Sequence, residues 1–396
     1  MSLGVIMRIL LANFTKMVQD SGGLAKVNCA FANAMVERGH EVATVYSDDR
    51  EGEFFFPVDA RVQRYNLRHF RGQSILFPTT LKVKREILRA IDQRRGRAVN
   101  NAFTVKYLKD NVQAILEEFR PDVIVAFQTA ATMVYVCELH TEIPVISMSH
   151  GDPEDYFHTY DPAELPALEQ CAACQVLLPS FKEHLRQHCP RACVEVIGNV
   201  VPHYAQQAEL AAAKNVYKII FVGRLVKNHK RPHLLIEAFG RIAHEFPDWQ
   251  VELWGAEDKK RYTQELQQLI RKYHLEQRVF LKGSTTDVPS VLQQGDICAC
   301  PSAYEGFPLA MTEAMSMGLP VVGFRSAPAV NELVKDGENG ILCDDGAESY
   351  SQGLARLMSD QTLRAQMGQQ ARDSVQAYSA SSIWQQWLDL MEQVRH

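Results

Sequence analysis

CPSAYEGFPLAMTEAMSMGLP, from Cys300 to Pro320, carries the clearest pattern in the chain. The apolar run Ile297-Cys298-Ala299 leads into it. Gly318 closes it before a second apolar run, Val321-Val322-Gly323-Phe324. Apolar run, polar turn, helix former, glycine stop and apolar run make one strand–helix–strand unit of an α/β sheet. Glu305 falls in the turn, and Glu313 in about the second turn of the helix, at roughly 3.6 residues per turn. Free N–H groups at the helix start, with the positive end of its dipole, form a seat for phosphate. Two acids around an anion seat suit a sugar nucleotide, whose diphosphate takes the amides while sugar and ribose hydroxyls take the carboxylates.

The same alternation precedes this unit. Lys218–Gly223 (KIIFVG), Gln250–Trp254, Val279–Lys282 and Asp296–Cys300 read as strands. Helices are predicted between them over Leu234–Phe246, Tyr262–Tyr273 and Val288–Gln294. Arg224 follows the first of these strands directly, and Lys230 ends the run Arg-Leu-Val-Lys-Asn-His-Lys. Both would stand at the carboxyl edge of a parallel sheet, the edge that carries Glu305. An arginine fork with a lysine point charge makes a clamp for a diphosphate leaving group, although loop cations are common on any surface. Glu313 has apolar neighbours in Ala310, Ala314 and Met317. A glutamate on the margin of a buried stripe usually has an assigned partner.

The N-terminal half follows the pattern a first time. Arg8–Ala12 reads as a buried strand, a loop ends in Ser21-Gly22-Gly23, and a helix follows with Leu24, Val27, Phe31 and Met35 on one side. Gly39 stops it and Glu41–Tyr46 returns as a strand. This opening is Rossmann-like, but Gly-Gly-Leu-Ala-Lys is not the Gly-x-Gly-x-x-Gly dinucleotide fingerprint. The glycine pair reads either as room for a phosphate or bulky ligand, or as a tight turn with close helix packing. Val112–Phe119 is predicted helical, and 121–126 and 144–148 are predicted strands. His150 stands just past the second, where functional groups gather in open parallel sheets; a hydrogen-bonded structural histidine is the plainer alternative. Gln175–Pro179 as strand, Phe181–His188 as helix and Val194–Val201 as strand complete this half. Ala205–Asn215 is polar and alanine-rich, which suits a linker. Ser381–Val394 is an amphipathic helix with Trp384, Trp387, Leu388 and Met391 on its apolar positions.

A length of 396 residues argues for two domains of ordinary size, and 46% hydrophobic with 22% charged residues is a globular balance. The net charge of −5 hides one local asymmetry. Residues 61–110 hold thirteen basic side chains against three acidic ones, a net of +10, interleaved with Phe70, Ile75, Leu76, Phe77 and Leu81. Such a segment reads as a surface for anionic lipid headgroups, with a solvated helix face as the plainer alternative. Nucleic acid is not expected, since no nucleic-acid motif accompanies the charge. The nine cysteines do not make a disulfide framework and read as reduced thiols. Cys171, Cys174, Cys189 and Cys193 have zinc-like spacing but flank predicted strand and helix, so small buried thiols are the preferred reading. No apolar run approaches the ~18–20 residues that span a bilayer. MSLGVIM lacks the basic start and apolar region of a signal peptide. A cytoplasmic protein, peripheral on the inner membrane face through residues 61–110, is expected.

The spacing Glu305-x7-Glu313 within PSAYEGFPLAMTEAMSMGLPVV resembles the signature of family-4 retaining glycosyltransferases of the GT-B fold. The likeness extends to Phe221-Val222-Gly223-Arg224-Leu225 with Lys230, to Gly22-Gly23, to His150 and to Ile197-Gly198-Asn199-Val200. It implies an α/β chain of two Rossmann-like domains facing a cleft: residues 1–201 for the acceptor, a linker at 202–215, and residues 216–378 for the nucleotide sugar. Residues 379–396 would form a helix returning to the first domain. It implies that Arg224 and Lys230 hold the diphosphate, Glu313 the ribose and Glu305 the donor-sugar hydroxyls, with Gly306, Phe307 and Leu309 also at the donor. His150 would lie near the donor sugar, and Gly22-Gly23 would approach the phosphate or the acceptor. Catalysis would rest on His150, Arg224, Lys230 and Glu305, with no cofactor and, since no Asp-x-Asp occurs, no divalent metal. The donor would be UDP- or GDP-linked and the acceptor a glycan or glycolipid. Two departures, Val200 where the family has glycine and Ser326-Ala327-Pro328 without its glycine pair, leave the sugar open. The alternatives are an epimerase or phosphorylase of the same fold, or a non-catalytic nucleotide-sugar-binding subunit.

Overall fold

Short runs buried on both faces dominate the chain, the sequence form of a parallel sheet covered by helices on each side. In the structure, a computed structural model, residues 6–396 are described. Of the MSLGVIM stretch inspected for a signal, Met1–Val5 lies outside them. The chain divides into two units. The first runs through Ile197 and takes in Trp384–His396, and the second is Gly198–Ile383.

The first unit is built on strands β1 (Arg8–Asn13), β2 (Glu41–Tyr46), β3 (Gln63–Asn66), β4 (His69–Phe70), β5 (Gln73–Ser74), β6 (Val123–Ala126), β7 (Val145–Met148), β8 (Ala173–Val176) and β9 (Val194–Val196). They lie in the order β5-β4-β3-β2-β1-β6-β7-β8-β9, parallel except at β3–β4–β5. Strand order therefore reverses between β1 and β6, where a crevice opens at the carboxyl ends of the strands. Helix α1 (Gly23–Glu37) connects β1 to β2, while α2 (Thr79–Ile91) and α3 (Gln93–Tyr107) form a helical pair before β6.

Strands β3 to β5 lie in the basic segment and escape sequence reading because they are short and mostly polar, without alternation. The strand expected at Gln175–Pro179 sits earlier, at Ala173–Val176, and Pro179 opens the next helix, where its fixed φ is an advantage. The strand expected to run to Val201 stops at Val196. A Cβ on Gly198 would fall 2.5 Å from the Tyr378 ring, and the Val201 N–H donates to the Tyr378 carbonyl at 2.9 Å, so the backbone leaves the sheet there.

The second unit repeats the plan with β10 (Tyr217–Val222), β11 (Trp249–Trp254), β12 (Val279–Gly283), β13 (Ile297–Cys300), β14 (Val321–Phe324) and β15 (Gly340–Cys343). All are parallel, in the order β12-β11-β10-β13-β14-β15, so the reversal falls between β10 and β13. The run Ala205–Asn215 has no helix or strand, yet it is no loose tether. Ala208 N–H donates to the Met317 carbonyl at 3.0 Å, Leu210 is buried, and Gln361 Nε2 donates to the carbonyls of Leu210 and Ala212.

The basic segment resolves into two parts. Around β3 to β5, Arg61 pairs with Asp59, Arg64 with Glu53 and Arg71 with Glu118, and Arg68 is buried with Nε on the Ile75 carbonyl. Of the apolar residues expected on the surface, Phe70 is buried, and Ile75, Phe77 and Leu81 pack against the core. Besides Tyr107 of α3, the exposed large apolar groups of the segment are Leu76, Val83, Ile87 and Ile91. The last three recur every fourth residue along one side of α2, a helix with no buried residue.

The C-terminal helix Ala380–Arg395 ends within the first unit. Trp387 is fully buried there, edge-on to Phe31 of α1 at 4.9 Å and 71°, with Trp384 at 5.3 Å on the same ring. Replacing Trp387 by Ala is expected to destabilise the first unit by about 3–5 kcal/mol, the ordinary range for a buried large aromatic. Urea unfolding followed by far-UV circular dichroism checks this, and a shift below about 1 kcal/mol would show that the helix is dispensable there.

Candidate functional site

In the second unit the site grows from the carboxyl ends of the two strands that flank the reversal. After β10 the chain turns at Gly223, and a neighbouring turn crosses it closely: a Cβ on Gly255 (φ +155°) would stand 1.9 Å from the Gly223 carbonyl oxygen. Only glycine fits that crossing. It leads the chain past Arg224, which is exposed and makes no side-chain hydrogen bond or ion pair among the described residues. Lys230 then folds back with its stem over Gly223.

After β13 the loop carries Glu305, buried at 7% exposure. Lys230 Nζ donates to Glu305 Oε1 at 2.5 Å, and His229 Nε2 lies 3.7 Å from Oε2. Burial by itself would raise the Glu305 pKa. His229, Lys230 and Ser302 outweigh it and hold the carboxyl down at about 2, against an ordinary 4.5. The carboxylate is therefore fully ionised at neutral pH.

Three residues that sequence reasoning passed over frame this pair. His229 stacks on Tyr304, with ring centroids 4.4 Å apart at 11°, and bonds the Tyr304 carbonyl at 2.9 Å. Ser302 bonds the Glu305 carboxylate. Arg231, at φ +47°, sends Nε to the Pro301 carbonyl at 3.0 Å and Nη2 to the Ser302 carbonyl at 2.9 Å. The left-handed backbone next to Lys230 thus ties one loop to the other, a strain that only surrounding contacts sustain. Position beside Lys230 was the available signal for His229 and Arg231. Nothing in their residue types pointed further.

Helix Leu309–Ser316 follows with Pro308 before it and no side-chain cap, so the N–H groups of its first turn are open, with Gly306 and Leu309 half-buried at its mouth. Phe307 is buried edge-on against Tyr378 at 5.2 Å, which leaves only its backbone to offer a ligand. Glu313 is buried at 7% exposure on this helix; after burial, its charge contributes to pushing the Tyr204 phenol up to about 12. A cavity of about 20 Å³ reaches in beside Lys230, Glu305, Pro308 and Met311. The structure thus joins Lys230 and Glu305 directly, places the open helix start beside them, and leaves Arg224 unengaged on the same sheet edge.

In the first unit the corresponding edge carries Gly22-Gly23, Gln128 and His150. Neither glycine has a left-handed backbone. Gly22 N–H bonds Asp20 Oδ1 at 2.8 Å, and a Cβ on Gly22 would stand 3.0 Å from that oxygen. A Cβ on Gly23 would meet nothing within 4 Å, so Gly22 is closely packed and only Gly23 leaves open space at the start of α1. Gln128 bridges the ends of β1 and β6, donating to Asn13 Oδ1 and accepting the Phe14 N–H. His150 lies over Phe127, ring centroids 5.4 Å apart at 27°, and bonds the Phe127 backbone. Its Nε2 is hidden from solvent and has no hydrogen-bond partner among the described residues. The Phe127 bond therefore belongs to Nδ1, and the neutral ring leaves Nε2 as an acceptor. Burial pushes the imidazole pKa down to about 4. The ring borders a cavity of about 230 Å³ shared with Leu24, Gln128, Asp155 and Tyr160. The cysteines expected as small thiols are free, Cys174 and Cys189 buried and Cys193 exposed, with Cys171 and Cys174 sulfurs 3.5 Å apart. No helix among the described residues is long and apolar enough to cross a membrane.

Two family models match the chain: Glycosyltransferase Family 4 over residues 21–203 and Glycosyl transferases group 1 over residues 204–374. They meet without a gap, and the chain belongs to the glycosyltransferases that combine these two domains in a GT-B fold. It is 23% identical over 385 residues to an uncharacterized glycosyltransferase of Haemophilus influenzae, covering 96% of this chain and 98% of that one. It is 23% identical to the amylovoran biosynthesis glycosyltransferase AmsD of Erwinia amylovora, covering 94% of this chain and 97% of that protein. The crystal structure of Anabaena HepE in complex with UDP and glucose superposes with a TM-score of 0.70 at 20% identity, over 98% of this chain and 99% of that one.

Both titrating groups give a signed pH dependence. His150 has a folded pKa of about 4 against an ordinary 6.5, so the unfolded chain binds more protons in between, and stability falls as pH drops from 6.5 to 4. Glu305 has about 2 against 4.5, so its contribution is whole above 4.5 and is lost as pH drops towards 2. Urea midpoints across pH should show His150→Gln flattening the upper window and Glu305→Gln the lower one. Curves parallel to wild type in both windows would contradict the placement of these groups.

Proposed function

We propose that the chain is a retaining, metal-independent glycosyltransferase that moves a sugar from a nucleotide diphosphate sugar to a hydroxyl of a lipid-linked surface glycan. The observation that carries this reading is the Lys230–Glu305 contact at 2.5 Å beside an uncapped helix start at the strand-order reversal. A diphosphate needs fixed positive charge and amide donors, and a sugar needs an ionised acceptor for its hydroxyls; this corner supplies both. The HepE structure carries UDP and glucose, and AmsD is named for amylovoran biosynthesis, which agrees with a nucleotide-sugar donor and a glycan product.

In this mechanism Arg224 and Lys230, with the first-turn amides of helix Leu309–Ser316, take up the negative charge that develops on the leaving diphosphate. No Asp-x-Asp pair occurs in the chain, so these groups carry the charge that a divalent ion carries elsewhere. Glu305 accepts hydroxyls of the transferred sugar, and Glu313 serves the ribose. His150, neutral and with Nε2 unpartnered, accepts a sugar hydroxyl without adding charge. No carboxylate nucleophile is assigned. The acceptor hydroxyl attacks from the face the diphosphate leaves, and a departing phosphate oxygen takes its proton.

Helix α2 offers the surface suited to lipid. Val83, Ile87 and Ile91 are exposed, while Lys82, Lys84 and Arg95 beside them have no acidic partner among the described residues. Basic groups around an apolar ridge suit an anionic bilayer surface.

Three outcomes are expected. A thermal-shift screen should single out one UDP- or GDP-sugar, with the shift growing as ligand exceeds Kd. Arg224→Ala and Lys230→Ala should each lower turnover on that donor by about 10²-fold or more, the cost of removing one preorganised donor to a developing anion; near-normal rates would rule out the clamp. Co-sedimentation with phosphatidylglycerol vesicles should fall with added salt and with Ile87→Glu, and indifference to both would remove the membrane.

A further inference from the structure

Helix α3 carries a second periodic stripe, and it is polar. Arg97, Asn100, Asn101 and Thr104 recur at intervals of three and four, so they share one side of the helix. That side lines a cavity of about 370 Å³ within the first unit. Arg89 of α2 lines it too, brought close because a Cβ on Gly96 would stand 2.9 Å from the Arg89 Cβ, a contact that only glycine avoids. The floor is built of buried polar groups. Glu164 is 2% exposed and accepts from Thr129 Oγ1 and, at 2.7 Å, from Asn101 Nδ2, which is itself 8% exposed. Gln128 and Tyr160 line this cavity and the smaller one that holds His150, so the two spaces adjoin.

The charges are unevenly spent. Glu164 is tied to the wall by Thr129 and Asn101, and its charge is also offset by Arg97 across the cavity. Arg97 lies over the Tyr160 ring at 3.6 Å, and its guanidinium has no hydrogen bond or ion pair among the described residues. Arg89 makes one hydrogen-bonded ion pair among the described residues, with Glu86 at 3.4 Å. Two guanidiniums with free donors, amides and hydroxyls beside them, and an aromatic ring fit a polyhydroxylated ligand that carries an anion.

We propose that this cavity binds the acceptor through an anionic sugar, one bearing a phosphate or a carboxylate, with Arg97 and Arg89 on the anion and Asn100 and Thr104 on its hydroxyls. This rests on the acceptor half of the reading above and adds its chemical class. Saturation-transfer NMR on the full chain, with UDP present to fill the donor site, tests it with glucose 1-phosphate, glucuronate, methyl α-glucoside and inorganic phosphate. Binding of at least one anionic sugar should exceed that of methyl α-glucoside by about tenfold or more, and which one does so identifies the anion. Arg97→Gln and Arg89→Gln should each weaken it by roughly ten- to a hundredfold with UDP binding unchanged. Equal binding of neutral and charged sugars overturns the proposal, as does inorganic phosphate binding as tightly as glucose 1-phosphate. Insensitivity to Arg89→Gln, a change on an exposed side chain that keeps the fold, overturns it as well. Failure of UDP to bind the wild-type chain would count against the donor reading, and the sugar arms then run without nucleotide.

Discussion

A lysine and a glutamate that meet at 2.5 Å with little exposure set the terms for the second unit. Taking two charges out of water costs several kcal/mol per ion, and their attraction offsets this only when the geometry is closed and the remaining hydrogen-bonding capacity is met. Much of the local structure serves that closure. His229 and Ser302 attend the carboxylate, and Arg231 accepts a left-handed backbone so that its guanidinium can fasten the carbonyls of Pro301 and Ser302. Gly255 allows the turn beneath to pass Gly223 without a side chain in the way. With the pair closed, both charges are already fixed in place, so in the proposed transfer little reorganisation would remain at the moment of reaction.

The first unit solves the opposite problem, keeping a titratable ring uncharged. His150 lies over Phe127 and is held by that residue's backbone, with Nε2 out of solvent and unpaired. An unpaired buried nitrogen costs free energy, and such groups persist where a ligand completes them. Arg97 is the charged counterpart, a cation over Tyr160 with donors unspent. The unpaired His150 nitrogen is a small sacrifice of stability at the sheet edge where the strand order reverses, and the proposed division has the ring meet neutral hydroxyls while Arg97 meets an anion.

Parallel strands buried on both faces are nearly continuous apolar runs, and such runs are legible in a sequence. Glu41–Tyr46 is read to the residue, and β10, β11 and β13 to within one. Strands β3 to β5 are too short and polar to show a period. The run to Val201 fails as a strand because Tyr378, far away in sequence, draws the backbone aside at Gly198. The basic segment shows the limit most plainly: its charge is evident, but whether Phe70 or Ile87 meets solvent depends on which helices cover the sheet.

Two α/β halves, the carboxyl-edge location of Arg224, Lys230, Glu305 and His150, and a helix start between two acids are legible without coordinates. These follow from local period and from the rule that loops after parallel strands share one edge. Folding adds that Lys230 and Glu305 touch, that His150 is kept neutral, that Arg231 bridges two loops, and that a polar stripe on α3 lines a cavity. Those are facts of distance and desolvation between residues remote in the chain, and no local pattern carries them.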